Sequence, residues 1–192
     1  MPLKEFLSAV AVLITFVAYY PYLRSVLKND IIPHYFSWVI WGITTFVVFL
    51  AQLSDDGGAG AWPIGFSGVI TIFIAFLAYR KRERVGTTTS DWLFLCFALL
   101  SLPLWYVTSN PLWAVVILTT IDALGFGPTI RKTYADPHSE PILFYGIFAG
   151  RNVIAIVALE NYSLTTMLFP VVTGLGCMLL VGIMAYRRAL LR

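Results

Sequence analysis

Apolar runs long enough to cross a bilayer recur seven times in this chain, and no other feature constrains its fold as much. They cover about residues 6–23, 36–53, 61–79, 92–109, 111–130, 142–159 and 163–186. A hydrocarbon core takes roughly 17–25 residues of helix at about 1.5 Å each. Backbone amides in that core must be satisfied within the segment, so the expected fold is an all-α membrane protein. Composition agrees, with 59% hydrophobic residues, only 12% charged and a mean hydropathy of +0.81 over 192 residues. A soluble domain of this length would carry far more polar surface. Neither a basic cluster before the first run nor a small-residue cleavage pattern after it is present, so that run is expected to be a retained span. The fourth run is the weakest, since Pro103 interrupts it and only Thr108-Ser109-Asn110 separates it from the fifth.

The basic residues rescue the fourth run and orient the chain. Arg24 and Lys28 follow the first span, and Arg80, Lys81, Arg82 and Arg84 follow the third. Arg131 and Lys132 follow the fifth, and Arg187, Arg188 and Arg192 the seventh, making 11 of the 13 Lys and Arg. Cytoplasmic loops hold such excess charge, so seven spans put the N-terminus outside and the C-terminus in the cytoplasm, in a multi-pass cell membrane protein. The net charge of +3 is then a topology signal in a lipid bilayer, with no nucleic-acid footprint. Trp62, Trp92, Trp105 and Trp113 fall near span ends, where interfacial aromatics gather. Cys96 and Cys177 lie in apolar runs without metal-ligand spacing and read as small core residues.

A shift of 107 residues superposes the chain on itself. Pro21 meets Pro128, Arg24 meets Arg131, Pro63 meets Pro170, and Ala78-Tyr79-Arg80-Lys81 meets Ala185-Tyr186-Arg187-Arg188. One extra loop residue then aligns Pro33, Phe36 and Gly42 with Pro141, Phe144 and Gly150. The expected organisation is a first triple-helix repeat (1–84), a linker helix (85–110) and a second repeat (111–192). An offset of four spans preserves direction, so the copies are parallel in a 3+1+3 arrangement. Pro21, Pro128, Pro63 and Pro170 read as helix-bending hinge positions or static kinks. Gly125 and Gly127 would ease a bend beside Pro128 or admit a neighbouring helix.

On the stretches YYPYLRSVLKNDIIPHYFSW and FGPTIRKTYADPHSEPILFYG, together with that topology, the chain resembles the SWEET and PQ-loop (MtN3-like) transporter superfamily. It resembles a divergent, bacterial-type member, because the glutamine that names the motif is replaced by Tyr22 and Thr129. The resemblance implies two triple-helix bundles that rock around a central pathway for a small polar solute such as a sugar, amino acid or vitamin. It also implies a role for an asparagine and a tryptophan in the solute site, which Asn152 and Trp41 would fill, and proton coupling through an aspartate in some members. Small three-helix relatives pair up to make a pathway, whereas a chain with both repeats fused need not form a homo-oligomer.

Asp122 and Arg151 are the ionisable residues placed deep in the spans, about 11 and 10 residues from the ends of runs five and six. Each would cost roughly 2.5–3.5 kcal/mol against lipid, so each is expected to face the interior, and plausibly the other. Asn152 adjoins Arg151, and Tyr145 lies six residues upstream. In the first repeat Thr15 replaces Asp122 and Ile43 or Thr44 replaces Arg151, while Trp38 and Trp41 share one helix face. Two readings stand side by side. The residues form a solute site, with Arg151 for a carboxylate or polar oxygen, Asp122 for an amine or a carried proton, and Trp41 for a ring face. Alternatively Asp122 and Arg151 form a closed ion pair locking the fifth and sixth spans together.

Competing classes fail on particular residues. A retinal protein needs a lysine in its last helix, and the lysines are Lys4, Lys28, Lys81 and Lys132. No HExxH, GxSxG, P-loop or His/Cys cluster points to an enzyme, a cofactor or a metal. His34 and His138 read as solvated loop residues, and Asp55 and Asp56 as a solvated outer pair. A small-solute transporter, facilitative or proton-linked, is therefore the leading expectation. The alternative is a non-transporting receptor or scaffold on the same fold, as in KDEL receptors.

Overall fold

The computed structural model describes residues 2–29, 35–80, 89–138 and 140–191. Pro33, His34, Lys81, Arg82, Arg84 and Arg192 lie outside the described residues, and the side chains of Pro128, Arg131 and Lys132 are not described. Among the described residues the protein is all-helical. Its α-helices are α1 (Pro2–Leu27), α2 (Tyr35–Ser54), α3 (Trp62–Arg80), α4 (Thr89–Thr108), α5 (Pro111–Ala135), α6 (Ile142–Ala158) and α7 (Leu164–Leu190). A short 3-10 turn, Gly58–Ala61, leads into α3. Four stretches are long and apolar enough to cross a membrane: Pro2–Leu27, Ser37–Ser54, Gly58–Arg80 and Leu164–Leu190. Shorter apolar helical stretches cover Leu95–Thr108, Pro111–Gly127 and Ile142–Ala158.

Side-chain placement is the reverse of that in a soluble bundle. On α1 the buried residues are Ser8, Ala11, Thr15, Ala18 and Val26, mostly small and spaced three or four apart on one face. Phe6, Leu13, Phe16, Val17 and Tyr20 are exposed. Water would penalise that surface, whereas hydrocarbon accepts it, and small residues let neighbouring backbones pack closely. Cys177 is buried as expected, but Cys96 is exposed on α4, so it is a surface residue and no part of the core.

Helix adjacency places α3 between α1 and α2, and α7 between α5 and α6. The two sets meet where α1 packs on α6 and α2 on α5, which closes a ring of six helices. α4 stands outside that ring against α5 and α2. An apolar cluster that includes Val48, Ile64, Ala98, Leu118 and Phe169 joins α2, α3, α4, α5 and α7.

The end of the ring where α1 starts is tied together by polar contacts. Gly57 O accepts from the Glu160 N–H at 3.1 Å, and Gln52 donates to Thr166 O at 2.6 Å. Ser8 donates to Ala59 O, and Lys4 to Leu159 O. Asp55 is no solvated bystander: its carbonyl accepts from Asn161 at 2.9 Å, and its carboxylate accepts from Ser163. Ser163 also caps α7, accepting from the Thr166 N–H while the Thr166 hydroxyl accepts from the Ser163 N–H. Ser163→Ala removes both the cap and the Asp55 partner. It should lower stability by about 1–2 kcal/mol in thermal unfolding of the detergent-solubilised protein, with Ser163→Thr close to wild type. An unchanged midpoint for Ser163→Ala would show that the cap carries no stability.

At the opposite, basic end Arg187 donates to Tyr134 O at 3.0 Å, and Arg188 to Pro137 O and Glu140 O at 2.9 and 3.1 Å. These contacts satisfy carbonyls around the α5–α6 connection. The helical assignment runs unbroken through Pro21 in α1, Pro103 in α4 and Pro170 in α7, and Pro128 falls within α5. Pro63 departs from expectation. It is the second residue of α3, where a missing N–H would be unpaired anyway, so it starts a helix and does not bend one. The glycines also differ. A Cβ at Gly125 would sit 3.7 Å from Trp41 Nε1, an ordinary contact, and one at Gly127 would meet nothing within 4 Å. Close helix approach therefore requires neither.

Candidate functional site

Inside the ring lies a cavity of about 220 Å³, with walls from all six ring helices and none from α4. A single water needs roughly 10–15 Å³ on a comparable measure, so there is room for a solute. Asp122, Arg151, Asn152, Tyr145, Trp38 and Trp41 all line it, as does Gly125. Three helices supply them, α2 the tryptophans, α5 Asp122 and Gly125, and α6 the rest, and α7 adds Thr173 and Cys177 to the lining.

Asp122 and Arg151 do not pair. No ion pair within 4.0 Å joins them, contrary to the locked arrangement that sequence allowed. The reason is topological: α7 lies between α5 and α6, so the helices carrying the two charges are not neighbours. Asp122 instead reaches across to α2, where Oδ1 lies 3.1 Å from the Thr44 hydroxyl. That hydroxyl is also 3.0 Å from Trp41 O, so its one proton is shared between two acceptors. Thr44 thus connects the α2 side of the ring to the α5 side through the acid itself.

Arg151 is only 4% exposed, and its Nε and Nη1 have no hydrogen-bond partner. The guanidinium lies 5.0 Å from the centre of the Phe148 ring, one turn earlier on α6, which offsets part of its desolvation. Asn152 donates to Thr173 on α7 at 3.2 Å, leaving its Oδ1 buried and unpartnered. Unpaired buried polar groups are costly and rare, and here two adjacent residues carry them.

Aromatic rings make up much of the remaining wall. Trp38 and Trp41 meet edge to face at 5.5 Å, Tyr19 and Phe148 at 5.3 Å, and Phe144 lies 4.7 Å from Phe148. Tyr145 contributes its ring to the cavity while its hydroxyl donates to Glu140 at 3.4 Å. Sequence reasoning treated the α1–α3 side as apolar apart from its tryptophans. The structure adds a hydroxyl cluster there: Tyr19 lies 3.1 Å from Ser67 and 3.2 Å from Thr71, and all three line the cavity. The available signal was Ser67 and Thr71 four apart on an otherwise apolar helix, which places both on one face. Thr15, the repeat counterpart of Asp122, bonds only its own helix at Ala11 O.

Lining residues reach the basic end at Trp38, Thr129 and Phe144, each near the end of its helix. Towards the other end stand Asn152, Phe169 and then the ties between the Gly57–Ala61 segment and the α6–α7 connection. Comparison with known proteins finds no family model, curated protein or solved structure that matches the chain.

Proposed function

We propose that the protein is a small-solute membrane transporter of SWEET and PQ-loop type. On this reading all seven α-helices span the bilayer, α1–α3 and α5–α7 are two parallel bundles joined by α4, and the basic ends are cytoplasmic. The observation that carries it is the central cavity, shared by six helices, in which a carboxylate and a guanidinium stay unpaired. A structural ion pair would have satisfied both groups, so their separation favours a binding role. On the same reading, the tied end and the lining that reaches the basic end belong to a form facing the cytoplasm. Alternating access would require the ties at Asp55, Gly57 and Gln52 to part while the bundles tilt about α1 and α5, which carry Pro21 and Pro128.

Reconstituted vesicles test this directly. The purified protein should move a labelled small polar solute down its gradient faster than empty vesicles. A pH gradient should drive that movement if Asp122 alternates between a proton and the solute, and Asp122→Asn should then remove the dependence on the pH gradient from whatever uptake remains. Uptake driven equally well in Asp122→Asn would dismiss the proton role. Saturable binding without any vesicle uptake would favour the receptor reading.

A further inference from the structure

We infer that the cavity is built for a small zwitterion, a molecule with both a carboxylate and a primary ammonium, such as a free amino acid. This names the cargo class for the transporter reading and rests on it for the transport step alone.

The inference follows from charge balance within one cavity. In their ionised forms Asp122 and Arg151 give the cavity one negative and one positive group, and among the described residues neither meets an opposite charge there. A neutral polyol would leave both charges unmatched. A simple anion would satisfy Arg151 and leave Asp122, and a simple cation would do the reverse. Only a solute carrying both signs neutralises both, which is the sense in which unpaired buried charges encode specificity. The two groups come from helices separated by α7 and do not reach each other, which leaves each free to meet one end of such a solute.

The neighbouring atoms fit the two ends. A guanidinium presents planar donors that suit a carboxylate, and the unpartnered Asn152 Oδ1 beside it offers an acceptor for an ammonium or amide N–H. Asp122 offers carboxylate acceptors to a primary ammonium, with Thr44 fixing one oxygen. Between these poles Trp41, Phe126, Phe148 and Phe169 supply an apolar wall for a side chain, and the Tyr19, Ser67 and Thr71 hydroxyls form a polar patch. A proton and an ammonium are alternative partners for the same carboxylate, which connects cargo and proton at Asp122.

Thermal unfolding of the intact protein in detergent, with a panel of probes, tests the class without any mutation. Alanine, leucine and phenylalanine span the side-chain sizes, and each is compared with its amide, its N-acetyl derivative and glucose. At least one free amino acid should raise the unfolding midpoint in a saturable way, because a ligand that binds only the folded form stabilises it by mass action. Its amide and N-acetyl forms should bind at least about tenfold more weakly, since each leaves one buried charge unpaired. Selectivity should then invert in the variants: Arg151→Gln should accept the amide as well as the free acid, and Asp122→Asn the N-acetyl form. Stabilisation by glucose and by none of the amino acids would overturn the zwitterion assignment and leave the transporter reading standing. Equal binding of free and blocked amino acids would overturn it too. Amino-acid binding without vesicle uptake would uphold the site and reject transport. Silence from every probe in both assays would reject both.

Discussion

Arg151→Met is expected to raise the unfolding midpoint of the protein and at the same time to cut solute uptake at least about tenfold. The two effects have one cause. Arg151 is nearly fully buried, with Nε and Nη1 unpartnered, and its stacking on Phe148 is the favourable contact that the structure gives it. An unsatisfied buried donor costs about 1–3 kcal/mol, and more when charged, while a desolvated cation–π contact returns about 2 kcal/mol. Methionine keeps the length and the contact with Phe148 and removes the unpaired charge. A net gain of about 1–2 kcal/mol should result. Thermal unfolding in detergent measures the first effect and vesicle uptake the second. A residue whose removal stabilises the fold but stops uptake is kept for function. If Arg151→Met instead loses several kcal/mol, the guanidinium has a structural partner and the site reading fails.

Gly60→Ala should have the opposite signature, weakening the fold at the end where α1 starts. A Cβ at Gly60 would run into Leu159 N, and would lie 2.6 Å from Leu159 Cα and 2.7 Å from Ala158 C. All of these are backbone atoms, so no side chain can swing away to relieve the clash. Overpacking of this kind costs about 1–3 kcal/mol, more than the roughly 0.4–1 kcal/mol that alanine gains by stiffening the unfolded chain. The segment can escape by lifting off the α6–α7 connection, which would break the bond between the Glu160 N–H and Gly57 O. Two readouts follow: a lower unfolding midpoint, and faster labelling of a cysteine placed at Asn161, which otherwise donates to Asp55 O. Unchanged values for both would mean that the contact is not maintained in solution.

Much of this architecture is legible in the residues because hydrocarbon imposes few choices. The apolar run 111–130 falls inside α5, and Thr108-Ser109-Asn110 falls at its break from α4, where Ser109 takes a φ of 50°. The six residues selected for depth, charge and aromatic character line one cavity, since a deep polar group can only turn inward. What failed to show was lateral order. Nothing in a one-dimensional pattern says that α7 inserts between α5 and α6, so sequence could place Asp122 and Arg151 at similar depths but could not separate them. The same blindness hid Thr44, which meets Asp122 from 78 positions away, and Tyr19, which meets Ser67 and Thr71. Asp55 was misread because a loop acid looks solvated until the loop opposite supplies Ser163 and Asn161. Pro63 was read as a bend although the run 61–79 already sets it in the first turn of its helix, where proline is tolerated.

The charged groups of the cavity come from α5 and α6 alone, whereas α1, α2 and α3 bring rings and hydroxyls. Two identical three-helix chains related by a dyad could never produce that division, because every group on one would be copied on the other. Such a pair would offer two acids and two bases, or none. Covalent linkage of unequal sets of helices is what allows one acid and one base to occur once each in the chamber, so the chamber has a head and a tail.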